Sequence, residues 1–144
     1  MPGDMEPRLD DRIRACLAQH PEVIAAFLFG SHVEGRAHRE SDIDIAVLLD
    51  RKLCPDPRAR FESRIGLTSE LIGALHENDV DLVVLNDAPP LLGRRIVIEG
   101  RLVHCADPEA EHAFRRDVQI RAADLAPFVE RARRRLLEVL ARDS

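Results

Sequence analysis

Between Phe27 and Leu49 the chain reads FLFGSHVEGRAHRESDIDIAVLL, with two aspartates at alternate positions at the start of an apolar run. Strand side chains alternate between faces, so Asp42 and Asp44 share one face while Ile43, Ile45 and Val47 point into a core. An unpaired carboxylate held against apolar packing is strongly disfavoured or takes up a proton. The strand must therefore lie in a sheet whose carboxylate end meets something that compensates two negative charges. A divalent cation does this. Mg²⁺ is commonly held by one or two carboxylates together with water and substrate phosphates, which is the donor set that Asp-x-Asp offers.

The neighbouring residues extend the pattern. Gly30 follows the apolar run VIAAFLF, Val23 to Phe29, and a glycine at a strand end lets backbone approach a ligand closely. If Ser31 opens a helical turn, its N–H groups and hydroxyl face a phosphate. Ten residues separate Ser31 from Asp42, enough for a turn and a loop that bring the next strand back alongside. DVDLVVL, Asp79 to Leu85, reads as a third strand with Asp79 and Asp81 on one face. If it lies beside the Asp42/Asp44 strand, Asp81 reaches the same metals or accepts the proton of an attacking hydroxyl. Asp81 is preferred to Asp79 because it lies further into the apolar run.

Around this centre the periodicity predicts an amphipathic helix from Leu9 to His20 and a second helix from Arg58 to His76. A turn at NDAPP leads to a short helix around Leu91 to Ile98, and Leu102 to Cys105 form an edge strand. An Arg-rich helical segment, about 108–142, follows with a break expected near Ala126-Pro127. Strands alternating with helices imply an α/β or α+β layer. At 144 residues the expectation is one domain, with its core at about 9–106 and a C-terminal helical segment at about 107–144.

Composition narrows the function. Net charge is −5 and aromatics make up 3% of the chain, which argues against a basic stripe or a set of stacking rings for direct nucleic-acid binding. No apolar run reaches membrane-spanning length, and MPGDMEPRLDDR carries neither a basic start nor an apolar h-region, so a cytoplasmic location is expected. Cys16, Cys54 and Cys105 are odd in number and far apart, as reduced thiols are. His32, His38, His76 and His104 read as surface or capping residues, with His32 notable for standing beside Ser31. The segment ERARRRLLEVLAR, Glu130 to Arg142, reads as a solvated charged face. Its stripe of Val129, Leu136, Leu137 and Leu140 leaves a docking helix as the alternative.

GSHVEGRAHRESDID resembles the Gly-Ser, ten residues, Asp-x-Asp signature of the DNA polymerase β-like nucleotidyltransferases. With VDLVVLNDAPPLLGRRIVIEGRLVHC, the stretch from Val23 to Ala106 is similar to their minimal nucleotidyltransferase (MNT) branch. The resemblance implies a small mixed β-sheet flanked by helices, two Mg²⁺ ions and ATP as nucleotide donor. It implies that Gly30, Ser31 and Ser41 bind the nucleotide, and that Asp42, Asp44 and Asp81 hold the metals and carry the catalysis. MNT proteins commonly act as antitoxins that transfer AMP to a tyrosine of a HEPN-type RNase toxin, in a hetero-oligomer. This chain contains no tyrosine, so such an acceptor must lie on another molecule. Two further readings stand beside this one. Many relatives carry Ala-Arg-Gly soon after Gly-Ser where this chain has Val33-Glu34-Gly35, which suits an antitoxin that neutralises its partner by occlusion alone. The other is a nucleotidyltransferase acting on a small molecule such as an antibiotic.

Overall fold

The computed structural model describes residues 8–30, 42–76 and 79–143. In chain order they form α1 (Leu9–Leu17), β1 (Val23–Phe29), β2 (Ile43–Leu49), α2 (Pro57–Leu75), β3 (Val80–Val84), a 3₁₀ turn (Leu85–Asp87), α3 (Pro90–Glu99), β4 (Arg101–Cys105) and α4 (Pro108–Arg142). The strands make one mixed sheet in the order β3-β2-β1-β4. β1 is antiparallel to both β2 and β4, whereas β2 and β3 run parallel. The two most continuously apolar strands occupy the centre, where both faces are covered.

Each face has its own apolar layer. Ile43, Ile45, Val47 and Leu49 of β2 join Ala26 and Leu28 of β1 beneath α1 and α2, which contribute Ile13, Leu17, Leu67, Leu71 and Leu75. On the opposite face, Ala46 and Leu48 of β2 join Ala25 and Phe27 of β1 against Ile96 and Val97 of α3 and Val118 of α4. The second layer uses the same strand face as Asp44. It stops one residue pair short of it, because Phe27 lies opposite Ala46 and Phe29 opposite Asp44.

Two Asp-Pro pairs start the longest helices. Asp56 accepts a hydrogen bond from the Ala59 N–H at 2.8 Å, and Asp107 accepts one from the Ala110 N–H at 3.1 Å. Pro57 and Pro108 then occupy first-turn positions where no N–H is needed. The turn after β3 is also fixed by side-chain chemistry. Asn86 donates to the Leu49 carbonyl and accepts from the Leu49 N–H, both at 2.9 Å, clamping the end of β2.

The expected break at Ala126-Pro127 does not occur: α4 runs through Pro127 as one helix of 35 residues. Proline removes the N–H that would bond the Ala123 carbonyl. Ala123 is exposed, which leaves that carbonyl open to solvent at the point where the helix continues. No described helix is long and apolar enough to cross a membrane.

Candidate active site

β2 and β3 lie side by side, and their parallel register sets Asp44 directly opposite Asp81. Paired strands stand ~4.8 Å apart, so these two carboxylates leave adjacent backbones toward the same face. The register begins at Ile43 and Val80, and the Ile43 N–H donates to the Asp79 carbonyl at 2.9 Å. Asp42 and Asp79 are the residues that immediately precede this first pair. Asp44 and Asp81 share one face of the sheet, and Asp42 and Asp79 stand in the chain just before the two strands begin. Asp42, Asp79 and Asp81 are exposed, while Asp44 is half-buried at the edge of the Phe27–Val118 layer.

Gly30 closes the other side of Asp44. Its φ of +76° lies in the left-handed region, and a Cβ there would overlap the Asp44 carboxylate. The backbone after β1 therefore passes directly against that carboxylate, a position only glycine fills without strain. The spacing between Gly30 and the aspartates, read from the sequence as a loop and return, is realised as an antiparallel pair. Phe29 opposite Asp44 brings the glycine to its place.

Of the residues singled out from the sequence, Gly30, Asp42, Asp44 and Asp81 are brought together at this end of the sheet. Ser31 and Ser41 lie outside the described residues, as do His32, Val33, Glu34, Gly35 and His38. Among the described residues, no group of three or more His, Cys, Asp or Glu side chains forms a ready-made metal cage. The donor set is made of hard carboxylate oxygens on two rigid strands. Such a set suits Mg²⁺, whose sites are completed by water and phosphate rather than by an all-protein cage. Cys16, Cys54 and Cys105 are free thiols away from this centre, and burial raises the pKa of Cys16 and Cys105.

Sequence reasoning missed the support behind the site. It assigned the apolar residues of β2 to one core face, yet Ala46 and Leu48 pack a second layer that ends at Asp44. The signal was present as the unbroken run Ala46-Val47-Leu48-Leu49, which is apolar on both faces. Gly93 marks the same layer: a Cβ there would stand 2.8 Å from Val118 Cγ2, so α3 and α4 pack closely.

Comparison with known proteins gives concordant matches. The family model for polymerase beta nucleotidyltransferases matches residues 11–109. The protein adenylyltransferase MntA of Shewanella oneidensis is 43% identical over 81 residues, 56% of this chain. That match spans about half of the relative, 53% of its length. A crystal structure of a toxin-antitoxin with AMP-PNP superposes with a TM-score of 0.66 at 29% identity, covering 93% of this chain and 99% of that one. A structure of the tri-AMPylated Shewanella oneidensis HEPN toxin in complex with MNT antitoxin gives a TM-score of 0.59 at 26% identity, covering 92% and 95%.

Proposed function

Because the chain belongs to the polymerase beta nucleotidyltransferase family, we propose that it is a cytoplasmic, MNT-type antitoxin that transfers AMP from ATP to a hydroxyl, a tyrosine phenol, of a HEPN-domain toxin. The observation that carries this reading is the pairing of Asp44 with Asp81 across parallel strands, with Gly30 against Asp44. The named activity of MntA and the AMPylated toxin in the similar complex supply the acceptor class.

In this reading Asp42, Asp44 and Asp81 would hold two Mg²⁺ ions, which would supply Lewis-acid stabilisation of the triphosphate charge. Gly30, whose missing side chain makes room for the Asp44 carboxylate, is proposed to contact the nucleotide together with Ser31 and Ser41. The acceptor oxygen forms a bond to the α-phosphorus, the bond to pyrophosphate breaks, and Asp81 takes the hydroxyl proton. The two strands fix Asp44 and Asp81 before substrate arrives, so little reorganisation is needed at the moment of transfer.

The test is an intact-mass spectrum of the HEPN-domain protein encoded beside this chain, after incubation with the chain, ATP and Mg²⁺. A gain of one or more AMP units, absent with Asp42→Asn, is the expected result. An unmodified partner that is nevertheless bound and neutralised would replace transfer by occlusion.

A further inference from the structure

The first part of α4 is buried against the body through Glu111, Val118 and Ala122. From Ala123 to Asp143 every residue of the helix segment is exposed. Twenty-one residues rise about 31 Å along a helix axis at 1.5 Å each. The stripe that packs through Val118 and Ala122 continues along this segment as Leu125, Val129, Ala132, Leu136 and Val139, at alternating steps of four and three. That spacing is a coiled-coil seam. Phe128 and Leu140 widen it, and they are 61% and 56% exposed.

Charge decides what can cover the seam. At 3.6 residues per turn, Arg133 borders it on one side, while Arg135 and Arg142 border it on the other. Glu130 and Glu138 lie further round toward the back, where Glu130 pairs with Arg134 at 3.5 Å. Asp124 stands at the root of the segment and Asp143 at its tip. Two copies of this helix would set arginine margins against each other, with acids only at the root and the tip, so self-pairing is disfavoured. Nucleic acid would use the arginines and leave the apolar seam in water. An amphipathic helix with an apolar stripe bordered by Asp and Glu satisfies both features.

We propose that Leu125–Val139 is the docking seam for an acidic amphipathic helix of the HEPN-domain partner. This rests on the partner assignment made above, and it does not depend on AMP transfer. Packing of an amphipathic face is the main source of helix stability in proteins, and a partner on this seam would supply it.

The experiment measures affinity for the full-length HEPN-domain protein by calorimetry, with AMP transfer read in parallel. Leu136→Ser and the double variant Arg133→Glu/Arg135→Glu should each weaken binding at least ~10-fold, the first through lost apolar burial and the second through charge. Arg134→Glu, on the back of the helix, should stay within about twofold of wild type. Equal binding by all variants overturns the seam while leaving transfer intact. Binding without modification by wild type defeats the transfer reading and leaves the seam to be judged by the variants. Wild type that does not bind at all overturns both. A self-associating chain whose dimer is lost in Leu136→Ser would make the occupant a second copy. Tight binding of a single-stranded RNA probe, lost with Arg133→Glu/Arg135→Glu but kept with Leu136→Ser, would make it nucleic acid.

Discussion

Gly30 and Asp44 show how a single missing side chain shapes the site. The strand pair holds Asp44 opposite Phe29, and the chain then turns against the carboxylate with a φ of +76°. Alanine at position 30 would meet both the strained backbone region and the Asp44 oxygen. Gly30→Ala should lower stability by on the order of 1–2 kcal/mol from the left-handed conformation. Its effect on transfer should be larger, at least ~100-fold, because the displaced carboxylate no longer meets the reacting groups. Thermal melts and transfer rates on the same preparation separate the two effects. A variant with normal transfer would show that Asp44 is not where the reaction takes place.

The elements are joined by polar links that respond differently to pH and to mutation. His20, just past α1, contacts Glu22 at 3.1 Å and Glu70 of α2. Burial works against its charged form, but the hydrogen bonds and charges of Glu70 and Glu22 outweigh it and raise the pKa above the ordinary 6.5. A raised folded-state pKa means that this stabilisation is complete below pH 6.5 and fades as pH climbs through the folded value. His20→Gln should therefore reduce Tm more at about pH 5.5 than at about pH 8.5. His104 in β4 has the opposite sign, since burial, helped by Arg14, lowers its pKa against the pull of a backbone hydrogen bond with Val23. Its contribution falls as pH drops below 6.5, and His104→Gln should lessen the loss on the acid side.

A different joint holds α4 to the body. Glu111 is 1% exposed and pairs with Arg115, whose guanidinium also donates to the Val97 carbonyl at 3.1 Å and lies 5.7 Å from the Phe27 ring centre. Arg115→Ala leaves Glu111 buried without this partner. It should destabilise by about 2–4 kcal/mol, the lower end reflecting the partial exposure of Arg115. Denaturant unfolding measures this, and a change below about 0.5 kcal/mol would mean the pair is no tie between α4 and α3.

At the scale of the whole molecule, the legible features were those that depend on local pattern. Leu9, Ile13, Cys16 and Leu17 at helical spacing gave α1, and the alternation of Asp42, Ile43, Asp44 and Ile45 gave β2 with its carboxylate face. What stayed hidden depends on distant partners. No single-sequence pattern says that Ala46 and Leu48 face α3 and α4, because that contact is set by how four elements pack. Pro127 misled because proline breaks a helix most readily where the freed carbonyl is buried, and here the residue that carries it, Ala123, is exposed. The parallel pairing of Asp44 with Asp81 was inferable only as a condition on strand order, which the sheet meets. Since two apolar layers hold that sheet, chelating Mg²⁺ should stop transfer and leave Tm unchanged. A chelator-induced loss of Tm would assign the metal a structural role instead.

In the proposed mechanism Asp81, opposite Asp44, belongs to the reaction centre while Asp79, two residues earlier in the chain, does not. Rates of AMP transfer to the HEPN-domain protein should be measured for Asp81→Asn and Asp79→Asn under identical ATP and Mg²⁺. Asp81→Asn should lose about 10²–10⁴-fold and Asp79→Asn should change within a few-fold if Asp81 has this role. Near-normal transfer by Asp81→Asn, or the larger loss in Asp79→Asn, would contradict it.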